Sequence, residues 1–301
     1  MRRPGTCEAA IACGILLTCV AAGARRARAD ENYFGYSYGS ETLPKGAFEA
    51  YSWTTWRTSK GQGSYNALDL KQEIEYGITD RLQASFYLNE RYHSIDGAAP
   101  FEEVDGVETP EYPDRNQFAF QGVQASLKYN VLSPFKDPLG FAVYVEPGWS
   151  RVFKISGQKQ NEWSLEFKGI FQKNFLDDQL IAVLNISPEL EVRKFIGGDA
   201  WETELALEFT GGLIYRVAPK WFAGVEMRYH SEYPDFVHEL KREHWAMFAG
   251  PVVHYGAEKW WFTFTVLPQF YGEPHDDSRS KILHLEEHEK VEVRLKTGIN
   301  F

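Results

Sequence analysis

"NALDLKQEIEYGITDRLQASFYLNERYHS", Asn66 to Ser94, alternates on both sides of a tight turn. Leu68, Leu70, Ile74 and Tyr76 interleave with Asp69, Lys71, Glu73 and Glu75. Beyond "GITDR", Leu82, Ala84, Phe86 and Leu88 interleave with Gln83, Ser85, Tyr87 and Asn89. Successive side chains of a strand point to opposite faces, so this period of two predicts a hairpin with one apolar and one polar face.

The pattern recurs along the chain. Trp163, Leu165, Phe167, Gly169 and Phe171 oppose Glu162, Ser164, Glu166, Lys168 and Gln172. Ala182, Leu184, Ile186, Pro188 and Leu190 oppose Asn185, Ser187, Glu189 and Glu191. Leu205, Leu207, Phe209 and Leu213 oppose Glu204, Glu208 and Thr210, and Ala223, Val225, Met227 and Tyr229 oppose Glu226, Arg228 and His230. With the aromatic stretches near 48–56, 118–129, 141–149, 245–255 and 260–270, and the final "VEVRLKTGINF", twelve strands are expected.

Connection lengths decide what kind of sheet this is. "GITDR", "NFLDDQ", "RVAPK" and "GAEK" are short, and "LSPFKDPLG" is somewhat longer. Between them lie polar links over 95–115, 153–161, 194–200, 231–244 and 272–283. Short turns on one side, long loops on the other and an even strand number predict an all-β, 12-stranded antiparallel outer-membrane barrel, with both termini on the periplasmic side. Tyr76, Tyr129, Trp163, Tyr215, Trp221, Trp245, Trp260 and Trp261 fall near strand ends, as aromatic girdles at membrane interfaces do. A soluble β-sandwich also alternates, but it seldom sets so many charges opposite such bulky residues on every strand.

The first residues fit that destination. Arg2 and Arg3 precede an apolar run over 9–22, and "ARRARAD" ends in an A-x-A exit at Ala27 and Ala29. This predicts a cleaved signal peptide over 1–29, a periplasmic leader over 30–45 and a barrel over 46–301. Cys7, Cys13 and Cys19 all lie in the signal, so the mature chain would have neither disulfides nor thiolate ligands. Its charge would be about −14, against −10 for the whole chain, which argues against nucleic acid as a partner.

Two stretches resemble known sequences. "VEVRLKTGINF" resembles the terminal strand of bacterial outer-membrane proteins, an alternating strand ending in Phe. That resemblance implies that Phe301 is an assembly signal read by the barrel-assembly machinery. "DENYFGYSYGSETLPKGAFEAYSWTTWRTSKGQGSY" with "KQEIEYGITDRLQASFYLN" is similar to an uncharacterised family of proteobacterial outer-membrane barrels. The similarity implies fold and location, with outer-membrane lipids and lipopolysaccharide as neighbours, but no activity.

Chemistry is then sought on the inward faces. Asp69, Glu73, Glu75, Glu146, Glu166, Glu189, Glu191, Glu204, Glu208 and Glu226 are the carboxylates there, with Lys71, Arg91, Lys168, Arg193, Arg228, Arg294 and Lys296 as basic partners. Acidic rings favour cations, so passive passage or binding of small solutes is expected, with cations preferred if the lumen is open. A plug of paired charges is the competing reading, because 12 strands lie between filled barrels and open porins. A lipid hydrolase would need a hydroxyl nucleophile beside a histidine base, and His93, His230 and His254 have no evident serine partner. In "HDDSRSKILHLEEHEK", His284 and His288 are weak metal-ligand candidates near Asp276, Asp277 and Glu286, beside the plainer reading of a solvated strand extension. "IDGAAPFEEVDGVETPEYPDR", 95–115, reads as a surface loop that could also fold inward. The motifs imply no cofactor: there is no phosphate-binding Gly-rich loop, zinc-protease motif or nucleophile elbow.

Overall fold

The computed structural model describes residues 32–61, 63–98, 101–104, 107–110, 114–273 and 280–301. The expected signal peptide, Asp276 and Asp277 lie outside them. The strands are β1 (Phe48–Thr58), β2 (Ser64–Thr79), β3 (Leu82–Asp96), β4 (Phe101–Val104), β5 (Val107–Pro110), β6 (Arg115–Leu132) and β7 (Gly140–Val152). After these come β8 (Lys159–Phe175), β9 (Leu180–Phe195), β10 (Glu202–Ala218), β11 (Trp221–Pro234), β12 (His244–Gly256), β13 (Trp260–Gly272) and β14 (Val291–Asn300).

Twelve of these strands close into one antiparallel barrel, each beside its chain neighbour, while β4 and β5 form a separate small hairpin in the loop between β3 and β6. The seam joins β1 to β14 from Glu49 opposite Asn300 to Thr58 opposite Val291. Closure is a physical requirement, since hydrocarbon offers no partner to an unpaired strand edge. The turn after β2 is only 80–81 and the one after β10 only 219–220, whereas β3 and β6 are separated by 97–114 and β13 and β14 by 273–290.

Burial runs opposite to that of a soluble domain. On β2, Ile74 is 58% exposed and Tyr76 38%, while Glu73 is 2% and Glu75 4% exposed. The apolar face points outward to lipid and the charged face inward, as the alternation predicts. Outward aromatics pair across strands near the short-turn rim: Phe48 with Tyr76 at 4.5 Å, and Trp221 with Tyr255 at 4.8 Å between ring centroids.

Trp261 departs from the girdle expectation. Strand parity turns it inward, where it is 1% exposed, edge-on to Tyr51 at 5.2 Å, with its indole N–H donating to Glu49. Its neighbour Trp260 is the lipid-facing one, 48% exposed. Gly298 leaves the space the indole needs, because a Cβ there would sit 2.3 Å from the ring.

Candidate functional site: the bore

Of the leader expected over 30–45, residues 32–43 do not stand off the barrel but run inside it, and 44–47 lie at its rim beside the turn after β2. In "NYFGYSYGS", Phe34, Tyr36 and Tyr38 alternate with Gly35, Ser37 and Gly39, yet the segment joins no sheet, and its backbone groups are met by inward side chains. The Glu226 carboxylate accepts from the amides of Gly35 (3.0 Å), Tyr36 (2.8 Å) and Ser37 (2.6 Å). Asn185 accepts from the Tyr38 amide at 2.6 Å and donates to its carbonyl at 3.0 Å, a side chain imitating a neighbouring strand. Gln172 accepts from the Ser40 amide and Gln83 from that of Leu43, at 2.7 and 2.9 Å. On the closing strand, Arg294 donates to the Gly35 carbonyl (3.1 Å) and Lys296 to Asn32 (3.0 Å). The leader therefore crosses the bore from β14 past β11, β9 and β8 to β3, close to the short-turn rim. Phe34 is its apolar anchor, packed with Ile181, Val183, Ile214, Phe222 and Val252, and lies where Gly212 has no Cβ.

Above the leader lies a cavity of about 280 Å³, lined by Tyr36, Tyr38 and inward residues of both walls. Seven basic and seven acidic side chains line it, so its formal charge balances, but the signs are segregated. Arg57, Arg91, Arg228 and Arg294 form one wall. Asp69 bridges Arg57 (2.7 Å) and Arg91 (2.5 Å), and Glu292 bridges Arg57 (2.6 Å) and Arg228 (2.8 Å). Arg228 also holds Glu208 at 2.5 Å, and Arg294 lies 3.7 Å from the Tyr36 ring centre.

The facing wall, on β7 to β9, is acidic. Strand register sets Glu146 directly opposite Glu166, and Glu166 directly opposite Glu189. Like charges in direct cross-strand pairs destabilise a sheet, so three carboxylates in a row call for an explanation. Lys168 pairs with Glu166. Among the described residues, Glu146, Glu162 and Glu189 form no ion pair, although Gln124 and Tyr144 donate to Glu146 and Ser150 and Gln160 to Glu162.

The remaining candidates spread around the wall. Glu191 and Glu204 share Arg193, and Glu191 lies 3.7 Å from Lys154. Lys71 lies over the Tyr87 ring at 4.2 Å, Glu75 accepts from Tyr51 (2.8 Å), and Glu73 is buried behind them. Glu226 anchors the leader and faces no free space. Phe301 is exposed, its amide bonded to the Phe48 carbonyl across the seam at 3.0 Å.

Alternation on the long strands carried the inward assignments. Arg57 escaped because "SWTTWRT" is read by its aromatics, and Lys154 because it lies in a loop; Tyr36 and Tyr38 alternate with Ser37 and Gly39, but nothing in that short run says it lies inside the bore. Of the three histidines weighed as bases, His254 contacts Thr263 Oγ1 (2.8 Å) and His93 the Lys154 carbonyl (3.2 Å). None of the three is hydrogen-bonded to a serine among the described residues.

The loop from β13 to β14 is not a solvated strand extension. Its described part, 280–290, folds back over the mouth at the long-loop rim as a strap. Gln269 grips it, accepting from the His284 amide (2.7 Å) and donating to the His284 and Glu289 carbonyls. His284 and His288 are thereby buried beside His230 and His244. Among the described residues, no group of three His, Asp or Glu side chains is arranged to hold a metal ion.

The chain belongs to a family of unknown function (DUF6662), whose model matches residues 26–301. No curated protein matches it. An outer membrane channel from Pseudomonas putida F1 is similar over 87% of this chain and 98% of its own, at 14% identity and a TM-score of 0.56. The NanC porin is similar over 84% of this chain and 100% of its own, at 10% identity and a TM-score of 0.45. The first likeness shows a shared fold.

Proposed function

We propose that this protein is an outer-membrane channel for small polar solutes, with a preference for cations. The row Glu146, Glu166 and Glu189 carries the reading. Carboxylates brought together against their mutual repulsion, and left largely without cations, give that side of the cavity a negative field. The arginine wall opposes it weakly, because Arg57, Arg91 and Arg228 are already held by Asp69, Glu208 and Glu292. A permeating cation would pass along β7 to β9; an anion would have to displace buried pairs.

Export to the outer membrane of a Gram-negative cell, among lipids and lipopolysaccharide, belongs to the same proposal and is supported by the apolar outer belt. So does recognition of Phe301 by the assembly machinery. A barrel closed at rest is the second reading, favoured by the leader lying across the bore. Reversal potentials in a salt gradient, measured in planar bilayers, separate the two. Cation selectivity is expected, lowered when Glu146, Glu166 and Glu189 are together changed to glutamine. No channel events, or selectivity unmoved by the triple change, would sink the proposal.

A further inference from the structure

Four of the chain's eight histidines meet under the strap: His230 on β11, His244 at the start of β12, and His284 and His288 on the strap itself. Their ring centroids lie 5.2 Å apart for His230 and His288, 5.2 Å for His244 and His288, 4.6 Å for His244 and His284, and 5.6 Å for His284 and His288. All four are buried. His230 Nδ1, His284 Nε2 and His288 Nε2 have no hydrogen-bond partner among the described residues. A metal clasp is disfavoured by geometry. The His244 and His284 rings are stacked, 16° from parallel, so their in-plane lone pairs lie in two separate, nearly parallel planes and do not meet at one ion.

We propose that the strap is a proton-operated gate, in which protonation of this histidine cluster drives residues 280–290 out of the mouth at the long-loop rim. The widening of the path that follows rests on the channel reading; the release itself does not. Imidazoles this close tolerate one another only while mostly neutral. The carboxylate in contact is Glu232, 3.2 Å from His244 and 3.7 Å from His230, and it also lies 3.5 Å from Lys154. Arg57, Arg91, Lys154 and Arg228 line the small space beneath His288, and Lys60 reaches the strap from the loop after β1. The other facing carboxylates are mostly engaged: Glu289 and Glu292 by Arg57, Glu191 by Arg193, and Glu273 by Arg242. Glu243, Glu286 and Glu287 complete the ring of charge around the mouth.

Burial pushes His284 down to about 3 and His288 well below its ordinary value. A depressed histidine favours the seated strap above its free value of 6.5, and that preference fades as pH falls toward the seated value. Glu287 works against this, since burial pushes its carboxyl up and acidification eases its seating, and His244 does not add to it, because Glu232 at 3.2 Å favours its charged form. From His284 alone, the ratio of released to seated strap rises about thirtyfold between about pH 7.5 and about pH 5.

Leu285 is 8% exposed and Ile282, on the same strap, 54%. In the full chain with Cys7→Ser, Cys13→Ser and Cys19→Ser, the thiol-labelling rate of Leu285→Cys divided by that of Ile282→Cys cancels the thiol's own pH dependence. That ratio is expected to rise about tenfold or more on acidification. His284→Gln with His288→Gln should flatten the rise, and Glu287→Gln should steepen it. A flat ratio in the parent chain, or an equal rise in the double glutamine variant, overturns the gate. Protection of Leu285→Cys by micromolar zinc at neutral pH would overturn it in favour of a metal clasp. Labelling that follows pH while bilayers stay silent would preserve the gate and remove the channel.

Discussion

Glu226→Ala tests whether the leader is held in the bore by chemistry or merely trapped there. One buried carboxylate accepts three consecutive amides, from Gly35, Tyr36 and Ser37, at 2.6–3.0 Å. Hydrogen bonds to a charged acceptor contribute roughly 1.5–3 kcal/mol each. Three that share one carboxylate are coupled and do not add. About 3 kcal/mol is therefore a conservative loss, equivalent to roughly a hundredfold rise in undocked leader. Tyr33, Phe34, Tyr36 and Tyr38 make the segment a ready chymotrypsin substrate once it leaves the bore. When opening and closing outpace cleavage, the cleavage rate follows the open population. Chymotrypsin should therefore cut the variant's leader roughly a hundred times faster than the parent's in detergent micelles. The barrel's slow unfolding, read by heat-dependent gel migration, should be largely kept. Equal cleavage rates in the two proteins, with the variant barrel intact, would refute the anchoring role of Glu226.

Three further outcomes are expected. Gly212→Ala should loosen the leader by sterics alone, since its Cβ would lie 2.2 Å from the Phe34 ring; the same cleavage assay reads it. Asp69→Asn removes the carboxylate between Arg57 and Arg91 and should lower stability to urea by about 1–3 kcal/mol while moving bilayer selectivity toward anions. Deleting Phe301 should cut the yield of assembled barrel in membranes without changing the conductance of the molecules that insert, because its ring lies outside the bore.

The barrel was legible because lipid and lumen impose opposite demands on alternate residues, and β2 and β3 record both most clearly on either side of their shared turn, over 68–76 and 82–88. Connection lengths recorded the two rims as well. The leader was not legible, because its neighbours come from strands far along the chain: Glu226 lies 191 residues beyond Gly35. Trp261 shows the limit of composition without parity, as an aromatic near a strand end serves either face. Charge pairing was equally hidden. Alternation turns Glu292 inward, yet nothing in "VEVRLKTGINF" says that it meets Arg57 and Arg228 from different strands. The strap was misread for a related reason. A charged, histidine-rich run looks solvated until Gln269 and the loop after β1 are seen to fold it inward.

The leader's position also bears on the order of assembly. Arg294 and Lys296, which hold its carbonyl and amide oxygens, sit on β14, the strand that completes the seam with β1. Closing the seam around an empty bore would strand both cations without those acceptors, a costly state for buried charge. Seating and closure should therefore be one cooperative event, with the leader acting as a template on which the last hairpin condenses. The slow step of folding is then expected to be the pairing of β1 with β14, not the growth of hairpins between them.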